Sequence, residues 1–157
     1  MASSNAIHNT FVIERTYNKP ISAVFAAFQD PGKKRKWYAD GGSHEVEAFE
    51  SDFRVGGVER LRYRFKEGTP FPGVIVENAG SHKEIVKDSR IVLESSMTLG
   101  GKCISVVLVT FEFQSDGNGT KLVLTHQGVF FEGADGPQMR EMGWKALLDR
   151  LSNTAEN

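Results

Sequence analysis

Apolar positions along the chain change their period twice. Phe11, Ile13 and Tyr17 share one face of an alternating stretch whose other face carries Glu14 and Thr16, which predicts a strand over 11–17. Ile21, Val24, Phe25 and Phe28 then recur at i, i+3, i+4 and i+7, the stripe of a short helix entered through Pro20. Asp30-Pro31-Gly32 ends it, and Pro31 opens a second short helix that reaches Trp37. From Ser43 the period returns to two. Leu61, Tyr63 and Phe65 alternate with Arg60, Arg62 and Arg64, and further extended segments follow over 74–86, 91–97, 103–113 and 120–129. Gly80 interrupts its segment and predicts a bulge. Asp116-Gly117-Asn118-Gly119 is the strongest hairpin signal, because its residues tolerate positive φ at little cost. The last segment is helical again. Asp135 is placed to cap it and Pro137 sits in its first turn. Trp144, Leu147, Leu148 and Leu151 form its stripe, and Met139, Met142, Gly143 and Ala146 widen the arc.

A broad apolar surface on a long terminal helix wants a concave partner, and a curved sheet provides one. The predicted class is α+β: an antiparallel curved sheet of six to seven strands wrapped around the C-terminal helix, with two short helices between strands one and two. A length of 157 residues suits one domain, placed at 10–152, with a flexible N-terminus over 1–9 and a tail over 153–157.

Composition narrows the partners. Apolar residues make up 39% and charged residues 25%, which excludes a disordered chain and a coiled coil. Nineteen basic residues face twenty acidic ones, so no nucleic acid or anionic membrane is expected as a partner. The start is polar and no apolar run approaches the roughly 18 residues of a membrane span, which predicts a soluble, cytoplasmic protein. Cys103 stands alone, so no intrachain disulfide is available, and a passive half-buried thiol is expected.

Several short motifs, in this order, resemble one family. Pro20-Ile21-Ser22-Ala23-Val24-Phe25, Trp37-Tyr38, Asp52-Phe53-Arg54-Val55-Gly56-Gly57, Gly119-Thr120-Lys121-Leu122-Val123-Leu124-Thr125-His126 and Gly143-Trp144 are similar to the heat-shock-protein-90 ATPase activator homologues. These are a branch of the START-like (SRPBCC) superfamily, and the likeness covers about residues 10–152. The resemblance implies a helix-grip fold and, across the superfamily, apolar, lipid or polyketide-like ligands. It leaves the reaction open, because function varies within the fold. The motifs also have local structural readings. Gly56-Gly57 permits a tight turn, Asp52 accepts from its amides or pairs with Arg54, and Gly143 lets the helix approach the sheet beside Trp144.

Candidate chemistry is sparse. His8, His44, His82 and His126 lack metal-ligand spacing, there is no nucleophile elbow or phosphate-cradling loop, and neither metal nor cofactor is expected. His126 shares the inner face with Leu122 and Leu124, where it would either meet a polar ligand atom or be satisfied within the core. Tyr63 also turns inward, and its hydroxyl needs a partner. Lys33-Lys34-Arg35-Lys36 reads as the solvated face of a short helix. Arg60, Arg62, Arg64 and Lys66 line an outer face, either paired with Glu45, Glu47 or Glu59 or open to an acidic protein.

The leading expectation is a binding module for a hydrophobic small molecule, held in a cavity between sheet and helix. Its lining would be Trp37, Tyr63, Phe65, Met97, Val109, Phe111, His126, Met139, Met142 and Trp144. Eleven phenylalanines could equally fill that space. A co-chaperone-like interaction module that meets a chaperone through the arginine row is the first alternative. A cavity cyclase or hydrolase using His126 and a pocket carboxylate is the second.

Overall fold

The computed structural model describes residues 5–155. One antiparallel sheet holds β1 (Ile7–Tyr17), β2 (His44–Ser51), β3 (Val58–Phe65), β4 (Ile75–Val86), β5 (Arg90–Leu99), β6 (Lys102–Asp116) and β7 (Gly119–Phe130). The strand order is β1-β7-β6-β5-β4-β3-β2. Strands β2 to β7 form a meander, and β1 closes its far side against β7. The chain passes between the two edges through α1 (Ile21–Gln29), α2 (Pro31–Lys34) and a π-turn (Arg35–Ala39). The long helix α3 (Pro137–Ala155) ends the chain. This is the α+β arrangement that the period changes predict and the helix-grip fold that the family resemblance implies.

Element ends shift outward from expectation. Residues 7–9 already pair with 128–130, and α3 takes in 153–155; of the two terminal segments, residues 1–4 and 156–157 lie outside the described residues. At Gly80 the ladder stays in register, and the irregularity in β4 falls instead between His82 and Glu84. Gly80 answers a different need: a Cβ there would sit 1.8 Å from the Glu94 carbonyl oxygen, so the backbones of β4 and β5 approach too closely for a side chain.

The core lies between the sheet and the helices that cross it. Phe25 and Phe28 of α1 meet Phe113 and Phe111 of β6 edge-on, with ring centroids 5.3 and 4.8 Å apart. Leu148 and Leu151 of α3 are fully buried in the same cluster as Ile13, Leu122 and Leu124. Tyr17 donates its hydroxyl to the Leu148 carbonyl at 2.8 Å, which ties the middle of α3 to β1. The apolar arc of α3 is narrower than predicted. Met139 and Met142 are 65% and 69% exposed, and Gly143 and Ala146 are exposed too. Nothing lies within 4 Å of a Cβ built on Gly143, so this glycine does not permit a close approach. These four residues lie on the solvent side of the stripe set by Trp144, Leu148 and Leu151. One turn before Trp144 the same stripe carries Arg140.

Candidate functional site

A small hollow lies where the sheet, the π-turn and α3 meet. Its walls include Leu93, Val109, Phe111 and Trp144 on the apolar side and Lys34, Tyr38, Glu59, Asn78, Glu94 and Ser95 on the polar side, with Gly80 in its floor. The volume open to solvent is about 20 Å³, room for a single water.

Local sequence explains the polar wall. The Asp30 carboxylate accepts from the Gly32 and Lys33 amides at 2.9 and 3.3 Å and fixes the start of α2. Lys34, Trp37 and Tyr38 then fall at i, i+3 and i+4, so they share the inward face. Lys34 is 2% exposed, which corrects its expected place on a solvated face. Its Nζ donates to both Glu59 oxygens at 2.8 and 2.9 Å and lies 4.8 Å above the Tyr38 ring. Glu59 also accepts from Ser51 at 3.2 Å. His82 donates Nδ1–H to the Gly57 carbonyl at 3.0 Å. Asn78 donates to the Tyr38 hydroxyl oxygen at 2.7 Å. Burial and then the Glu59 charge hold that hydroxyl protonated well above the ordinary tyrosine range.

A second polar cluster sits at the first turn of α3. Arg140 is 8% exposed. It donates to both Asp135 oxygens at 2.8 Å and to Ser105 Oγ at 3.0 Å, and its guanidinium carbon lies 5.0 Å over the Phe130 ring. Asp135 thus grips Arg140 rather than capping the helix; the Gly136 carbonyl accepts the Arg140 amide. His126 lies close by, fully buried and stacked on Phe11 with centroids 4.4 Å apart. Neither of its ring nitrogens has a hydrogen-bond partner among the described residues. Burial first, and then the Arg140 charge, push its pKa down to about 4, so the ring is neutral at pH 7.

The residues expected to line a cavity therefore separate. Val109, Phe111 and Trp144 line the hollow. Trp37 stands behind it, donating its indole N–H to the Ala27 carbonyl at 2.8 Å. Met97 lies 3.4 Å from the Arg140 guanidinium. Tyr63 and Phe65 turn toward His44 and Phe71 at the β2–β3 side. Met139 and Met142 face solvent, against expectation, because Arg140 and Trp144 take the inward positions of their turns. Lys34, Tyr38, Glu59 and Asn78 were missed. The spacing of Lys34 from Trp37, and of Glu59 from Leu61, carried the signal: each shares a face with an inward neighbour.

Outside the sheet, Arg62 and Arg64 pair with Glu47 at 3.0 and 2.9 Å, and Arg60 with Glu77 and Glu50. The two arginines hold the Glu47 carboxyl below the usual carboxylate range. Glu59 takes no part in this row, since it turns inward to Lys34. Cys103 is exposed rather than half-buried. Among the described residues no three His, Cys, Asp or Glu side chains converge on a metal position, and no helix is long and apolar enough to cross a membrane.

Comparison with known proteins places this geometry. No curated protein matches at a significant level. Among solved structures, an uncharacterised protein from Rhizobium leguminosarum superposes with a TM-score of 0.90 at 34% identity, over 99% of each chain. The Mll3558 protein from Rhizobium loti gives 0.82 at 40% identity, over 96% of this chain and 99% of the other. An AHSA1-like protein from Aeromonas hydrophila shares the fold at 22% identity and a TM-score of 0.66, over 94% of this chain and 92% of its own. Residues 18–156 match the family described as Activator of Hsp90 ATPase homolog 1-like protein, and the chain belongs to that family, within the START-like (SRPBCC) superfamily.

Proposed function

We propose that this chain binds a small apolar or aromatic, lipid-like molecule between the concave face of the sheet and the N-terminal half of α3. Membership of the family and the helix-grip fold support a ligand-binding module in general. The observation that carries the finer reading is the hollow beneath Trp144. It joins an apolar wall to a few fixed polar groups, the mixture that orients small ligands. With room for one water, it is the closed form of the site. Admission requires Trp144 and the first turns of α3 to swing outward. The outer side of those turns, Met139, Met142 and Gly143, holds nothing in place. The Arg140 grip on Asp135 and Ser105 is the contact that must loosen.

The other readings have less support. No carboxylate lies within hydrogen-bond reach of His126 among the described residues, which leaves a cyclase or hydrolase without its acid–base pair. The arginine row offered as a chaperone-docking face is already paired with glutamates.

Thermal unfolding with apolar probes of graded size, from propylbenzene to dodecanol, tests the proposal. A saturable rise in Tm, with a change in Trp144 emission, is expected; stabilisation reaches about 2.7 kcal/mol at a hundredfold excess over Kd. No rise with any probe, and unchanged emission, would contradict it.

A further inference from the structure

The row of the concave face that forms the hollow's floor continues beyond it. Across the ladders, Gly80 pairs with Ser95, Ser95 with Val107, Val107 with Gly128 and Gly128 with Asn9. Glycine at Gly128 leaves room that Val107 and His126 take: a Cβ there would lie 2.8 Å from the Val107 side chain and 3.3 Å from the His126 ring. In the next row Val109, a wall of the hollow, stands directly opposite His126. Opposed side chains in such a pair lie about 5 Å apart. Val109 therefore links the wall of the hollow to His126, and on β1 Phe11 pairs with His126 while Asn9 lies two residues further along the same face.

At that end the polar accounting does not close. His126 is 0% exposed, and both its ring nitrogens lack a partner among the described residues. The Asn9 Oδ1 atom is buried in the same condition, on a residue that faces inward beside Phe11. Buried polar groups are rarely left so. The neutral imidazole offers one N–H donor and one acceptor nitrogen, and Asn9 Oδ1 adds a second acceptor. The charged groups facing His126 are Arg140 and Asp135, and these already satisfy each other.

We propose that His126 and Asn9 form the polar end of the binding site and recognise a neutral head group that both donates and accepts hydrogen bonds, as an alcohol or phenol does. This inference rests on the binding reading above and adds the ligand class. A hydroxyl can accept from the imidazole N–H and give its one hydrogen to one of the two acceptors; a carboxylate supplies no hydrogen to either acceptor and would have to compete with Asp135 for Arg140. The apolar body would lie over Val109 and Phe111 beneath Trp144. A buried water at the same atoms is the competing explanation.

Three probes with one phenylpropyl body separate the outcomes: 3-phenylpropan-1-ol, 3-phenylpropanoate and propylbenzene, titrated while the His126 ring nitrogens are followed by NMR. The alcohol should bind about five- to tenfold more tightly than the other two. It should also move the His126 nitrogen shifts. His126→Phe keeps a ring to stack on Phe11 and should erase the preference without erasing binding, and Asn9→Leu should reduce it. Equal affinities with unchanged His126 signals, tighter binding of the carboxylate, or a His126 nitrogen bonded to a water that no probe displaces would each overturn the head-group assignment. The binding reading would survive those results. Failure of all three probes to bind would instead remove the binding reading and this inference with it.

Discussion

The two halves of α3 meet the sheet in different ways. From Leu148 onward the helix is fixed by apolar contact: Leu148 and Leu151 are fully buried, and Tyr17 binds the Leu148 carbonyl from β1. Before Trp144 the helix is held by polar groups. Arg140 is its inward residue, its outer residues are Met139 and Met142, and beneath it lie a water-sized hollow and the unpartnered nitrogens of His126. Close-packed apolar surface fixes one arrangement. A polar contact can be exchanged for contact with a ligand or solvent at little net cost. The difference marks the C-terminal half as anchor and the N-terminal half as the part able to open.

The largest effect expected of a single substitution falls in the polar region. Lys34→Ala leaves Glu59 buried without its cation and should cost about 3–5 kcal/mol in urea unfolding. The double replacement Lys34→Met with Glu59→Leu should recover most of that loss, because removing both charges leaves neither orphaned. A large loss in the double variant would mean that the pair does more than satisfy itself.

In the anchor, Leu148→Ala should cost about 2–5 kcal/mol, as a fully buried leucine does, whereas Met142→Ala should change stability by less than about 0.5 kcal/mol. Equal costs would erase the contrast between the halves.

His126 gives the comparison a pH signature. Its folded pKa of about 4 lies below the ordinary histidine value of 6.5, so between these pH values the unfolded chain binds more protons than the folded one. Stability at His126 is thus retained above the unfolded pKa and lost as pH falls through 6.5 toward 4, by about 3 kcal/mol in all. His126→Phe should remove this part of the slope while leaving that of carboxylates such as Glu47. Parallel profiles for the two proteins would contradict the burial assigned to the ring.

One substitution should give a small gain. Gly143→Ala, in open space on the outer side of α3, should stabilise by about 0.5–1 kcal/mol.

The anchor was legible in the sequence and the opening half was not. Leu147, Leu148 and Leu151 continue the stripe begun at Trp144 through their spacing alone, and the alternation in Phe11, Ile13 and Tyr17 declares the strand beneath it. Met139 and Met142 misled because an apolar side chain was read as an inward one. Arg140, four residues before Trp144, held the true inward position, and its charge concealed it. Lys34 and Glu59 were hidden likewise: each follows its element's period, but their pairing joins α2 to β3 across 25 residues. That Val109 stands opposite His126, and Gly80 in line with Gly128, depends on register between strands, which no local pattern reveals.

Residue-resolved hydrogen exchange along α3, with and without 3-phenylpropan-1-ol, tests the central claim most directly. The amides of 141–146 should exchange much faster than those of 148–152 in the free protein, and the probe should slow the first group alone. Uniform protection along the helix, unchanged by the probe, would contradict it.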